Sequence, residues 1–176
     1  MAMETLDLSK LKILLVDDYS PMLRLLAGML RELGVSEIEQ TTNVEDAFRM
    51  IEEVEPDILI TDALMKPTSG FELTKKIRSG EEGIDPFLPV LMVSGLTEMS
   101  NIVKARDSGI TEFLAKPISA RLLYMRICSV VSNPRSFVRT TDFFGPDRRR
   151  RSVAHGGEER RDGDHEYDSG PRKDER

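Results

Sequence analysis

Between residues 11 and 131 two kinds of segment take turns. Short apolar, β-branched runs read as strands: LKILLV (11–16), EIEQTT (37–42), DILIT (57–61), PVLMVS (89–94) and TEFLA (111–115). Between them, apolar residues recur every three or four positions. Leu23, Leu26, Ala27, Leu30 and Leu33 share one helical face, and Gly34 closes that helix where left-handed backbone is wanted. Val44, Ala47, Phe48, Ile51 and Val54 form a second face, behind an Asn43 cap and ahead of Pro56. GFELTKKIRSG (70–80), EMSNIVKARDSG (98–109) and ISARLLYMRICSVV (118–131) complete five strand–helix units. Central strands that are apolar on both faces, each followed by a helix, imply a parallel sheet covered on both sides. In such a sheet the ligand site lies at the carboxyl ends of the strands, near the switch in strand order.

After Asn133-Pro134 the pattern stops. Arg, Asp, Glu and Gly dominate without a period, and such a segment buries too little surface to offset its ordering entropy. The expected organisation is an N-terminal extension (1–9), one globular domain (10–133) and a largely disordered, arginine-rich tail (134–176). Only SFV (136–138) and FF (143–144) offer the tail apolar contacts for docking. The formal charge of −6 divides into −7 over residues 1–134 and +1 over 135–176. The body therefore lacks a basic footprint for nucleic acid. Cys128 is the sole cysteine, which excludes a disulfide framework and fits a reducing compartment. No run approaches 18 apolar residues and no signal-peptide pattern opens the chain, so a cytoplasmic protein without membrane insertion is expected.

The strand ends carry the chemistry. Asp17 and Asp18 follow the first strand, Asp62 follows the third, Ser94 ends the fourth and Lys116 ends the fifth. Any one of these has an ordinary reading; Asp18 or Ser20, for instance, could cap the first helix. Together they bring three carboxylates, a hydroxyl and an ammonium to one edge of the sheet. Three anions in one cleft repel, and either protons or a hard cation must relieve them. Magnesium is the fitting cation, since it prefers carboxylate oxygens and keeps several waters.

This set resembles the receiver domain of bacterial two-component response regulators, the CheY-like fold. LLVDDYSPMLRLL resembles the family's acid-pair strand and first helix, and ILITDALMKPTSGFEL its phosphoacceptor strand and loop, with Gly70 eight residues past Asp62. VLMVSG and FLAKPIS resemble its hydroxyl and lysine strands. The resemblance covers residues 10–133 and implies a doubly wound, flavodoxin-like (βα)5 sheet of strand order 2-1-3-4-5. It further implies that Asp62 accepts a phosphoryl group from a histidine kinase or histidine phosphotransferase. Asp18, Asp62 and the Leu64 carbonyl would ligate Mg2+, with Asp17 acting through water. Lys116 and Ser94 would contact the phosphoryl oxygens, Phe113 would be the aromatic switch, and the Lys116-Pro117 bond would be cis. No catalysis is expected beyond self-phosphorylation and autodephosphorylation. Two departures stand out: Lys66 replaces the family's usual proline, with Pro67 one place later, and Leu64 is apolar where many members are polar.

The tail admits three readings. Near-balanced charge allows a solvated polyampholyte. Four consecutive arginines, Arg148 to Arg151, would attract nucleic acid, but interleaved acids oppose a polyanion. A ligand with guanines and phosphates uses both charges. Guanidinium stacks on guanine, forks onto its O6/N7 edge or pairs with phosphate, while a carboxylate accepts from its N1–H edge. Asp147, Arg148, Arg149, Arg150, Arg151, Arg160, Arg161 and Asp162 are the expected cyclic di-GMP ligands. The tail resembles the arginine-rich extension of CheY-like cyclic di-GMP effectors acting on the flagellar motor. An alternative is a phosphorelay intermediate in which the tail is irrelevant. His155 and His165 lack the company of a metal site, and Cys128 and the methionines read as core filler.

Overall fold

The structure, a computed structural model, describes residues 6–80, 83–95, 99–147 and 166–168. Five parallel strands, β1 (Lys12–Val16), β2 (Glu37–Thr41), β3 (Ile58–Asp62), β4 (Val90–Ser94) and β5 (Glu112–Ala115), lie in the order β2-β1-β3-β4-β5. Helices α1 (Ser20–Glu32), α2 (Val44–Val54), α3 (Gly70–Ser79), α4 (Met99–Asp107) and α5 (Ala120–Ser132) connect and follow them. The fold is the expected doubly wound, five-stranded sheet, and the order reverses between β1 and β3.

The two-residue period of a strand divides the core into two layers. Ile13, Leu15, Ile58, Ile60, Leu91 and Val93 face α1 and α5, meeting Leu23, Leu26, Leu30, Leu123 and Ile127. Leu14, Val16, Leu59, Val90 and Met92 face the other way, against Ala47 and Ile51 of α2, Leu73 and Ile77 of α3, and Ala105 of α4. Each such aliphatic side chain contributes about 1.5–3 kcal/mol on burial. β3 and β4 are buried along their whole length, up to and including Asp62 and Ser94 at their ends.

Caps decide where the helices begin. The Asn43 side chain accepts from the Glu45 and Asp46 N–H groups, as expected, and Gly34 takes a left-handed φ of 93° after α1. Ser69 and Glu72 form a reciprocal capping box on α3. The N-cap of α1 is Tyr19, with no side-chain cap, so neither Asp18 nor Ser20 is spent on that role. Leu8 is buried in the core, and the Leu6 N–H donates to the Tyr124 hydroxyl. Residues 6–9 thus pack as part of the body.

The expected lack of regular structure after Pro134 does not hold for residues 135–147. They form β6 (Phe137–Arg139) and β7 (Phe144–Pro146), and β8 (Glu166–Asp168) pairs with β6 from the other side, all antiparallel. The residues expected to dock are the ones that do. Phe137 and Phe144 meet Phe87 with ring centroids 4.9 and 5.3 Å away. Those rings supply the apolar burial that offsets ordering.

Candidate functional site

β1, β3, β4 and β5 deliver their terminal residues to one edge, as the parallel register requires. Asp62 is the last residue of β3, rather than one past it, and Lys116 is one past β5. The Lys116 N–H donates to the Ser94 carbonyl at 2.8 Å, locking the ends of β4 and β5 together. The Lys116 ammonium then reaches back across the sheet. Its Nζ lies 2.6 Å from Asp62 Oδ1 and 3.8 Å from Asp17 Oδ2.

The turns after the strands aim the carboxylates. Asp17 Oδ1 accepts from the Tyr19 N–H at 2.8 Å, and Asp62 Oδ2 from the Leu64 N–H at 2.7 Å. Asp18 is exposed and Oδ2 accepts from the Lys66 N–H at 3.2 Å. The substitution of Lys66 for proline therefore matters, because proline has no N–H to give. Both Lys66-Pro67 and Lys116-Pro117 are cis, the second as expected. Burial pushes Asp17 above the usual carboxylate range, and the Asp62 and Asp18 charges add to this; the Tyr19 N–H and Lys116 pull the other way. Ser94 is buried at the same rim, Leu64 is exposed beside Asp62, and Phe113 is half-buried against the α2–α3 side of the core.

Gly70 fixes the floor of the site. A Cβ there would collide with the Asp62 carbonyl oxygen and stand 3.1 Å from Thr61 Oγ1. The eight-residue spacing from Asp62 thus reflects a helix start pressed onto the strand end. Thr74 caps this contact by donating to the Gly70 carbonyl at 2.7 Å.

Among the described residues, no group of three or more His, Cys, Asp or Glu side chains is gathered closely enough to enclose a metal alone. Magnesium does not need that. It takes one or two carboxylates, completes its octahedron with water, and suits a donor set made only of oxygen. The Asp62 and Asp18 charges act unfavourably on the Asp17 carboxylate, and a hard cation would relieve that repulsion. The residues present fit the ion.

Of the expected tail ligands, Asp147 ends the ordered hairpin, its N–H donating to the Ser136 carbonyl at 2.8 Å. Arg148, Arg149, Arg150, Arg151, Arg160, Arg161 and Asp162 lie outside the described residues. Sequence reasoning missed two buried charges. Glu112, the first residue of β5, binds Arg126 at 3.2 Å and Arg135 at 2.9 Å. Arg78 on α3 donates to the carbonyls of Gly109, Pro86 and Leu88. An acid opening an apolar strand was a signal for Glu112; Arg78 left none, since arginine is ordinary on a helix. No helix among the described residues is long and apolar enough to cross a membrane.

Comparison with known proteins agrees with this geometry. The family model described as the response regulator receiver domain matches residues 13–128. Chemotaxis protein CheY-3 of Vibrio cholerae is 33% identical over 121 residues, covering 69% of this chain and 92% of that protein. Chemotaxis protein CheY of Pseudomonas aeruginosa is 32% identical over 117 residues, 66% of this chain and 93% of its own length. The crystal structure of a two-component response regulator from Clostridium difficile aligns with a TM-score of 0.63 at 26% identity, covering 70% of this chain and 98% of that one. Sheet order, the residues at its carboxyl edge and these matches converge: the chain belongs to the response regulator receiver domain family.

Proposed function

We propose that this chain is a single-domain response regulator that is phosphorylated on Asp62, signals by protein–protein contact and binds cyclic di-GMP through its arginine-rich tail. The observation that carries the phosphoacceptor assignment is the Lys116–Asp62 contact of 2.6 Å, with Asp17 Oδ2 3.8 Å from the same ammonium. An Asp62 carboxylate oxygen attacks the phosphorus of a phosphohistidine. The P–N bond breaks as the O–P bond forms, and the imidazole leaves with the electron pair and takes a proton from water. Lys116 moves from the carboxylate to the phosphoryl oxygens, and the Ser94 hydroxyl donates to one of them. Asp18, Asp62 and the Leu64 carbonyl, with Asp17 through water, would hold magnesium, which would supply charge neutralisation on the transferring group. Exposed Leu64 offers an attacking water no hydrogen bond on that side, which slows hydrolysis of the acyl phosphate.

The partners are a histidine kinase or histidine phosphotransferase and a downstream protein. The flagellar motor is the proposed target, supported by relatives named as chemotaxis proteins. Incubation with a small phosphodonor and Mg2+ tests the acceptor: Asp62→Asn should take up no phosphate, and uptake equal to the parent would overturn the assignment. Calorimetry tests the ligand. Cyclic di-GMP should bind the full chain but not a chain ending at Asp147. Salt-steep binding of unrelated DNA instead would favour a nucleic-acid tail, and rapid phosphoryl exchange with a histidine protein, indifferent to the tail, would favour a phosphorelay intermediate.

A further inference from the structure

We propose that residues 135–147 are a releasable strap: they dock in a built groove at the end of the sheet remote from Asp62, and leave it while the receiver stays folded. The groove lies where β4 and β5 begin, whereas Ser94 and Lys116 mark where they end. A five-residue strand spans roughly 13 Å between its first and last Cα, so strap and phosphoacceptor occupy opposite ends of the same two strands.

Docking is specific because the backbones touch. A Cβ added to Gly145 would stand 3.0 Å from the Gly109 Cα and 2.8 Å from the Phe143 ring. A Cβ added to Gly109 would stand 3.1 Å from the Phe144 carbonyl oxygen. Around this glycine-on-glycine contact, Phe137 and Phe144 close on Phe87, and the Arg78 guanidinium lies 5.2 Å from the Phe137 ring centroid. The root of the strap is pinned by Arg135 to Glu112.

Release leaves the buried charges of the groove with partners. Glu112 keeps Arg126 and Ser129, and Arg78 keeps its three carbonyls. In the docked form one donor goes unserved: Arg78 Nη2 is buried without a hydrogen-bond partner among the described residues. Desolvation pushes that guanidinium down to about 9, although arginine keeps its proton at neutral pH. Aromatic burial and a dehydrated cation therefore oppose each other in one contact, and the three-residue strands β7 and β8 pair with β6 and not with the receiver sheet. When the strap leaves, water reaches Nη2, and Phe87, Arg78 and Gly109 become a surface. Asp147 immediately precedes Arg148, so whatever grips the arginine run also pulls on the strap; this holds whichever ligand the tail takes.

Native-state hydrogen exchange on the full chain is the test. The Thr140 and Asp147 amides, which donate to the Phe143 and Ser136 carbonyls, should exchange at least about 100-fold faster, relative to their intrinsic rates, than the Leu59 and Thr111 amides of the sheet. Gly145→Val should weaken Asp147 protection by a further factor of about ten, with Leu59 and Thr111 unchanged within about twofold. Phe87→Ala, which alters the groove and leaves the strap sequence intact, should do the same. Strap amides that exchange only with global unfolding would overturn the proposal. So would a Gly145→Val or Phe87→Ala chain that keeps full strap protection, or loses strap and sheet protection together.

Discussion

Gly70 is pressed onto Asp62: a side chain on the glycine would overlap the Asp62 carbonyl oxygen. Gly70→Ala should therefore move the start of α3 or the end of β3. The expected cost is about 2 kcal/mol of stability, as for overpacking elsewhere. Phosphorylation should fall more than about tenfold, since sub-ångström displacement of a reacting group is costly. Urea denaturation and phosphate uptake from a small donor measure the two effects. A variant with parental stability and uptake would show that the contact is slack.

Lys116 holds Asp62 in the resting site, yet it is assigned to the phosphoryl group in the reaction. Lys116→Met should lower phosphoryl uptake by about 100-fold, the usual loss when a donor to developing charge is removed. Mg2+ affinity measured by calorimetry should be kept or raised, because a competing cation is gone from beside Asp62 and Asp17. Loss of Mg2+ binding together with uptake would make Lys116 a support for the metal site instead.

Asp17 dictates a pH dependence. Its carboxyl is raised in the folded chain, chiefly by burial, so the folded state keeps a proton that the unfolded state has already lost. Stability should decline as pH rises from the ordinary aspartate range through the raised Asp17 value, and level off above it. Asp17→Asn keeps an oxygen for the Tyr19 N–H and removes the charge. It should flatten this decline and raise metal-free stability at neutral pH, while weakening Mg2+ binding. Thermal denaturation across pH, with and without Mg2+, is the measurement. A steeper decline in the variant would contradict the assignment.

Glu112 joins the receiver to the strap. Its carboxylate is buried and shared by Arg126, Ser129 and Arg135, with both guanidinium groups partly wet. Glu112→Gln should cost about 2–3 kcal/mol, near the lower bound for breaking a buried pair. Arg135→Met should cost less, because Arg126 and Ser129 continue to serve the acid. Equal losses in the two variants would show that the strap, and not β5, depends on this pair.

The sequence alone determined the order of the elements, the Asn43 and Gly34 helix ends and the five residues at the carboxyl edge of the sheet. Those features are local: periods of two and 3.6 residues, capping chemistry and strand termini are set by near neighbours along the chain. Even the docking of Phe137 and Phe144 was marked by where apolar residues survive in a polar tail. The tertiary structure decided the rest. Only there does Gly70 meet the Asp62 carbonyl, Gly109 meet Gly145, Glu112 collect two arginines, and Arg78 end in a dry corner. Each of these joins residues distant in the chain through close approach of backbone or burial of charge. Composition and periodicity carry no record of such contacts, because they come into being only when separate elements are packed together.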